Sequence, residues 1–137
     1  MDLLARREHC QSELQQKLSK RFPEAEEILE VIMQLAKENL QSDRRFIEAY
    51  ISSRARKGFG PERIRLELQG KQLSEEWVED ELAAFSGWKE KLQQLLEKRF
   101  AGEFAADAKT RAKQIRFLLY RGFPQDLIRE LSREHEV

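Results

Sequence analysis

The stretch FIEAYISSRARKGFGPERIRLEL, residues 46–68, decides the fold. Phe46, Ile47, Tyr50, Ile51 and Ala55 recur at steps of three and four, a two-residue-wide stripe down one side of an α-helix. Lys57-Gly58-Phe59-Gly60-Pro61 stops that helix and starts another. A glycine at C′ accepts left-handed backbone, and a proline at the first helical position lacks only an N–H that had no partner there. Ile64 and Leu68 face inward from the short second helix, which ends at Gly70.

The same grammar extends in both directions. Leu3 to His9 reads as a short helix, and Ser12 as the N-cap of the next, with Gln15 completing a capping box and Leu14 and Leu18 on one face. After Pro23, Ala25, Ile28, Leu29, Ile32, Leu35 and Ala36 form a buried stripe. Ser74 caps a helix whose first turn holds Glu75 and Glu76, with Trp77, Val78, Leu82 and Phe85 inward. Trp88, Leu92, Leu95, Leu96 and Phe100 line another helix. A loop over 101–107 leads to a basic helix from Ala108 to Arg121, its apolar face using Ala112, Ile115, Leu118 and Leu119. Leu127, Ile128 and Leu131 line a last helix, and the polar tail from Arg133 is expected to fray. The sum is eight or nine helices and no strand: an all-α chain.

A local phrase recurs. Arg56-Lys57-Gly58-Phe59 precedes Ile64, and Tyr120-Arg121-Gly122-Phe123 precedes Ile128. An aromatic five residues before an Ile fits a hydrophobic staple if the N-cap directly follows the aromatic. His9 to Leu14 has the same spacing, and an alternative register pairs Arg21-Phe22-Pro23 with Gly122-Phe123-Pro124. The period is about 40–60 residues, so each copy holds about three helices and stacking of neighbours supplies much of the core.

Composition narrows the function. Of 137 residues, 25 are Lys or Arg and 25 Asp or Glu, so the net charge is zero. The longest apolar runs are three or four residues, too short to cross a bilayer, and the first residues lack the apolar core of a signal peptide. The single cysteine, Cys10, cannot form an internal disulfide; it fits a reducing compartment and reads as a small semi-buried apolar residue. One Cys and two His cannot close a zinc site, and no phosphate-cradling glycine loop or cofactor motif is present. His9 reads as a capping or staple residue, not a base. Nothing supports an enzyme, a metal or a cofactor.

Charge is banded. Residues 1–42 carry net −2, 43–73 net +4, 74–107 net −5 and 108–137 net +3. Arg44, Arg45, Arg54, Arg56, Lys57, Arg63, Arg65 and Lys71 fill the second band. Lys109, Arg111, Lys113, Arg116 and Arg121 lie in the fourth, with Lys109, Lys113 and Arg116 on one helix face. One reading makes these surfaces for an acidic protein or a DNA backbone; the other makes them solvated faces and partners of the acidic bands. Tyr50 and Phe59 read as core or staple residues, not base-stacking platforms. The acidic run Glu75, Glu76, Glu79, Asp80, Glu81 reads as helix-dipole and solvating charge, with an acidic docking face as the alternative.

The residues from Asp43-Arg44-Arg45-Phe46 through Leu68 closely resemble the RecX family of bacterial RecA regulators. So do Ala5-Arg6-Arg7-Glu8-His9 with Ser12-Glu13-Leu14 and Lys17-Leu18, and the closing Ile115-Arg116-Phe117-Leu118-Leu119-Tyr120-Arg121-Gly122-Phe123. The resemblance implies an elongated stack of three tandem three-helix units: 1–41 (shortened at its start), 42–86 and 87–137. It implies a cytoplasmic, monomeric, non-enzymatic regulator that lies in the groove of the RecA–DNA filament. There it limits filament extension and so lowers ATP hydrolysis, strand exchange and co-protease activity. RecA is the expected partner, with single- or double-stranded DNA as a further contact and no membrane. The expected interface is Arg44, Arg45, Arg54, Arg56, Lys57, Arg63, Arg65, Lys71, Lys113, Arg116 and Arg121. Arg21-Phe22-Pro23 departs from the family, which favours a glycine near Phe22. The alternative is a helical DNA-binding protein acting on nucleic acid directly; a steep salt dependence without RecA distinguishes it. A helical-repeat adaptor unrelated to RecA is a third reading.

Overall fold

The computed structural model describes residues 8–21, 28–37 and 42–135. These form eight helices and no strand: α1 Gln11–Arg21, α2 Ile28–Lys37, α3 Asp43–Arg56, α4 Pro61–Gln69, α5 Glu75–Ala84, α6 Trp88–Phe100, α7 Ala108–Tyr120 and α8 Gln125–Glu134. Of the expected first helix from Leu3 to His9, residues 3–7 lie outside the described residues, while Glu8 and His9 precede α1 without helical structure. Phe22 and Pro23 of the alternative register and the stripe residue Ala25 also lie outside the described residues.

Apolar stripes gather into three clusters in chain order. Leu14, Ile32 and Leu35 join α1 to α2. Phe46, Ile47, Ile51, Ile64, Leu68, Val78 and Leu82 join α3, α4 and α5, and Cys10 is buried with them. Leu92, Leu95, Leu96, Leu118, Phe123, Ile128 and Leu131 join α6, α7 and α8. Trp88 packs against both larger clusters and donates its indole N–H to the Leu82 carbonyl at 3.2 Å.

The repeated phrase builds the same joint twice. At the end of α3, Gly58 has φ +90°, Gly58 N–H donates to Ala55 and Phe59 N–H to Arg54. At the end of α7, Gly122 has φ +100°, Gly122 N–H donates to Leu119 and Phe123 N–H to Leu118. Both are Schellman stops. Gly60 and Pro124 are the following N-caps, which puts Phe59 and Phe123 at N′ and Ile64 and Ile128 at N4. His9 takes the same place ahead of α1: it is buried, and Leu14 N–H donates to the Cys10 carbonyl. The phrase does not mark equivalent points of a repeat, however. It joins the first and second helices of the α3–α5 cluster but the second and third of the α6–α8 cluster.

The two joints meet. Gly60 N–H donates to the Arg121 carbonyl at 2.8 Å and Glu62 N–H to the Gly122 carbonyl at 2.9 Å. The N-terminus of α4 has no side-chain cap; the C-terminus of α7 supplies one. Positive and negative helix ends face each other.

Several local expectations are corrected. Ser12 is not an N-cap: α1 begins at Gln11, and the Ser12 hydroxyl donates to the Lys71 carbonyl at 2.7 Å, tying α1 to the α4–α5 turn. Trp77 is exposed, with the Arg44 guanidinium over its ring. On α7, Leu119 and Ala112 face outward and Gln114 is buried. The Gln114 amide accepts from Ala105 N–H at 2.8 Å and donates to the Glu103 carbonyl, holding the 101–107 loop. The tail does not fray at Arg133: Lys89 pairs with Glu130 and Glu134, and His135 bonds Gln93 at 3.1 Å.

A Cβ at Gly122 would sit 2.3 Å from Arg63 Cβ and 2.5 Å from Arg63 N, whereas one at Gly58 meets only Leu95 Cδ1 at 3.4 Å and the Arg121 guanidinium at 3.6 Å. Gly58→Ala is expected to lose about 1–2 kcal/mol for left-handed backbone alone. Gly122→Ala adds a backbone clash and is expected to lose at least about 3 kcal/mol. Urea unfolding of the two variants measures the difference; equal losses would show that the joint yields freely.

Candidate functional site

Most of the expected basic interface is engaged within the chain. Arg44 pairs with Glu81 at 3.0 Å and Asp80 at 3.7 Å, and Arg45 with Glu8 at 2.8 Å. Arg65 reaches Glu62 at 2.7 Å and holds Glu79 through two nitrogens. Lys71 pairs with Glu13 at 2.9 Å, which docks α1 on the α3–α5 cluster. Arg65 next to Glu79 pulls that carboxyl below its usual range. These four are thus paired within the chain, and Glu79, Asp80 and Glu81 of the acidic run on α5 are the counter-charge of two of them, Arg65 and Arg44.

Arg54 and Arg63 belong to one hub around Glu67. Glu67 accepts from Arg54 Nη2 at 2.7 Å, from Arg54 Nε at 2.9 Å, from the Tyr50 hydroxyl at 3.0 Å and from Arg63 Nε at 3.3 Å. Burial pushes the Glu67 carboxyl up, but its donors outweigh burial and leave it lowered. Phe59 lies under three guanidinium groups: Arg54 at 3.9 Å, Arg121 at 4.7 Å and Arg63 at 5.3 Å from the ring centre. Tyr50 and Phe59 are thus packing residues. Arg121 also donates to the Lys57 carbonyl at 3.3 Å.

Five of the eleven expected residues have no carboxylate in ion-pair reach: Arg56, Lys57, Lys113 and Arg116, all exposed, and the half-buried Arg121. Arg56 and Lys57 form a ridge at the end of α3. On one side lies a mixed-charge cleft with Glu8, Glu13 and Lys71 on its walls. On the other lies a cleft of about 230 Å³ at the joint, lined by Arg56, Lys57, Lys91, Lys98, Arg99 and Arg121. No Asp or Glu lines it. Arg99 and Arg121 are held on the faces of Phe117 at 4.7 and 5.3 Å.

Lys91, Lys98 and Arg99 escaped the sequence reading because they lie in the most acidic band. Lys91 and Lys98 stand seven apart on α6, with Gln94 and Leu95 between, so they share a face. That helical spacing is the signal that averaging over a band removes. Burial raises the Cys10 thiol above its ordinary range, away from the reactive thiolate form. Among the described residues no three His, Cys, Asp or Glu side chains group to hold a metal ion, and no helix is long and apolar enough to cross a membrane.

The comparisons agree with this architecture. Residues 42–82 match the model of the second three-helix domain of RecX, and residues 89–131 that of the third. "Regulatory protein RecX" of Pseudomonas syringae pv. tomato is 47% identical over 132 residues, covering 96% of this chain and 85% of the relative. The chain belongs to the RecX family. The RecX of Ectopseudomonas mendocina is 44% identical over 97% of this chain and 89% of its own. The crystal structure of RecX from Lactobacillus salivarius shares the fold with a TM-score of 0.79, at 24% identity over 98% of this chain and 90% of that one. In RecX terms, the basic cleft lies between the second and third three-helix domains.

The hub gives a pH prediction. Tyr50 is pushed up to about 12 by burial and by donating to Glu67. Above pH 10 the unfolded chain loses this phenolic proton while the folded chain keeps it, so stability falls as pH rises toward 12. Tyr50→Phe is expected to lose about 1 kcal/mol at neutral pH and to show a shallower alkaline decline in urea unfolding. Parallel declines would remove Tyr50 from the hub.

Proposed function

We propose that the chain is a non-enzymatic, cytoplasmic regulator that binds the RecA filament on DNA and limits its extension. ATP hydrolysis, strand exchange and co-protease activity fall as a consequence. Membership of RecX across almost the whole chain carries this reading, and the cations left without carboxylates at the joint suggest where contact is made. A chain of zero net charge that leaves Arg56, Lys57, Lys91, Lys98, Arg99 and Arg121 clear of carboxylates has a directed basic surface. Lys113 and Arg116 on α7 form a second exposed group. Arg44, Arg45, Arg54, Arg63, Arg65 and Lys71 hold the fold and support the interface indirectly. The three units are 1–41, 42–86 and 87–137, and the protein acts as a monomer laid along the filament groove.

Reversing Arg54 together with Arg56 and Lys57 would break the Glu67 hub, so the cleaner variant is Arg56→Glu with Lys57→Glu. Titrated below one copy per RecA, the wild-type chain is expected to suppress RecA ATP hydrolysis on single-stranded DNA. The double variant, with unchanged circular dichroism, should need at least about tenfold more protein, one decade for about 1.4 kcal/mol of weakened binding. A folded variant of unchanged potency removes these two residues from the interface. A folded wild type without effect at excess rejects the filament reading.

A further inference from the structure

We propose that the cleft at the joint is a phosphate-binding site, formed by Arg56, Lys57 and Arg121 on one side and Lys91, Lys98 and Arg99 of α6 on the other. The proposal deepens the filament reading and rests on it for its biological setting. Six cations meet in about 230 Å³ with no acidic residue among the lining side chains. Three helices, α3, α6 and α7, end at the cleft, and basic residues at helix ends commonly do no more than offset the dipole. Each C-terminus contributes only about half a negative charge, so the three together offset between one and two of the six cations. The surplus is left for a ligand.

Nearby carbonyls meet little of this need. The Arg54 and Ala55 carbonyls already accept from Phe59 and Gly58 N–H, and among the described residues the one carbonyl bonded to a cleft cation is that of Lys57, which accepts from Arg121. Arg99 and Arg121 rest on the Phe117 ring, and Arg121 also on Phe59. Stacking fixes the plane of a guanidinium and leaves its forked N–H edge for an oxyanion.

Phosphate fits better than an acidic protein segment. Elsewhere the chain shows what its cations do with carboxylates: Arg54 on Glu67 and Arg65 on Glu79 form side-on pairs in which one flat group meets one flat group. The cleft has cations on two walls. A phosphate spreads its acceptor oxygens tetrahedrally and can turn them toward both walls at once, with more acceptor positions and more charge than one carboxylate brings. The shared chemistry is phosphate, from a nucleic-acid strand or from a free polyphosphate group.

The test uses the full chain without RecA. A labelled 20-mer oligothymidylate is followed by anisotropy and inorganic triphosphate by calorimetry. Lys98→Glu with Arg99→Glu is compared with a charge-matched control on α8, Arg129→Glu with Arg133→Glu, both checked for folding by circular dichroism. The cleft variant is expected to lose at least tenfold in affinity while the control changes less than threefold. For the oligonucleotide, the slope of log K against log salt should flatten by about 0.7 for each phosphate that is no longer neutralised. Binding of the oligonucleotide alone assigns the site to a strand backbone, binding of triphosphate alone to free polyphosphate, and competition between them to phosphate as such. Equal losses in both variants, no phosphate binding by the wild type, or cleft-dependent binding of polyglutamate alone would each overturn the proposal. Inhibition of RecA without phosphate binding overturns the cleft and leaves the filament reading standing. Cleft-dependent phosphate binding without any effect on RecA does the reverse.

Discussion

The carbonyls of Arg121 and Gly122 close the open amides of Gly60 and Glu62, and much of the described structure is arranged around that contact. A helix N-terminus leaves donors without partners. In α4 one of these is deleted by Pro61, and Gly60 brings no side-chain cap. The amides of Gly60 and Glu62 find their acceptors about 60 residues away, on a helix stop that has carbonyls to offer. Both glycines are required by proximity: a Cβ on Gly60 would fall 2.5 Å from the Gly122 carbonyl oxygen. Once the ends are joined, Phe59 is placed beneath Arg54, Arg63 and Arg121, and α6 is brought to the end of α3. The basic cleft follows from the joint.

Charge is divided between two tasks. Pairs such as Lys71 with Glu13 and Arg44 with Glu81 link helices that are distant in sequence. Partly exposed pairs of this kind contribute little individually, so they set register more than they add stability. The cleft cations receive no such partner. Their mutual repulsion is a standing cost, offset by stacking on Phe59 and Phe117 and relieved by any anion that enters.

Local physics was legible in the sequence; long-range physics was not. The α3 stripe, the Gly58 and Gly122 stops and the Phe59–Ile64 spacing are set within one or two helical turns, and the chain shows them directly. His9 at the staple position was legible for the same reason. Ser12 misled because a capping-box pattern describes local bonds, while its hydroxyl found the Lys71 carbonyl 59 residues away. Trp77 and Leu119 misled because hydrophobicity says that a side chain prefers burial, not that a neighbour exists to bury it. For the basic residues, composition revealed where charge is plentiful. Only the fold reveals which carboxylates reach Arg65 or Arg45 and which leave Arg56 and Lys57 alone. Lys91, Lys98 and Arg99 were hidden because Glu90 and Glu97 stand beside them in sequence but not on the cleft.

A joint completed by distant backbone also sets an order of events in synthesis. Residues 43–86 contain every side chain of their own buried apolar cluster except Cys10, which has already been made. They can collapse as they emerge from the ribosome. Yet the amides that open α4 stay wetted until residues 121 and 122 follow, roughly two to seven seconds after the end of that unit at ordinary elongation rates. During that interval the first turn of α4 is the loosest part of an otherwise packed unit. The last helices to be made finish a helix made long before them, so the chain locks from its end backward.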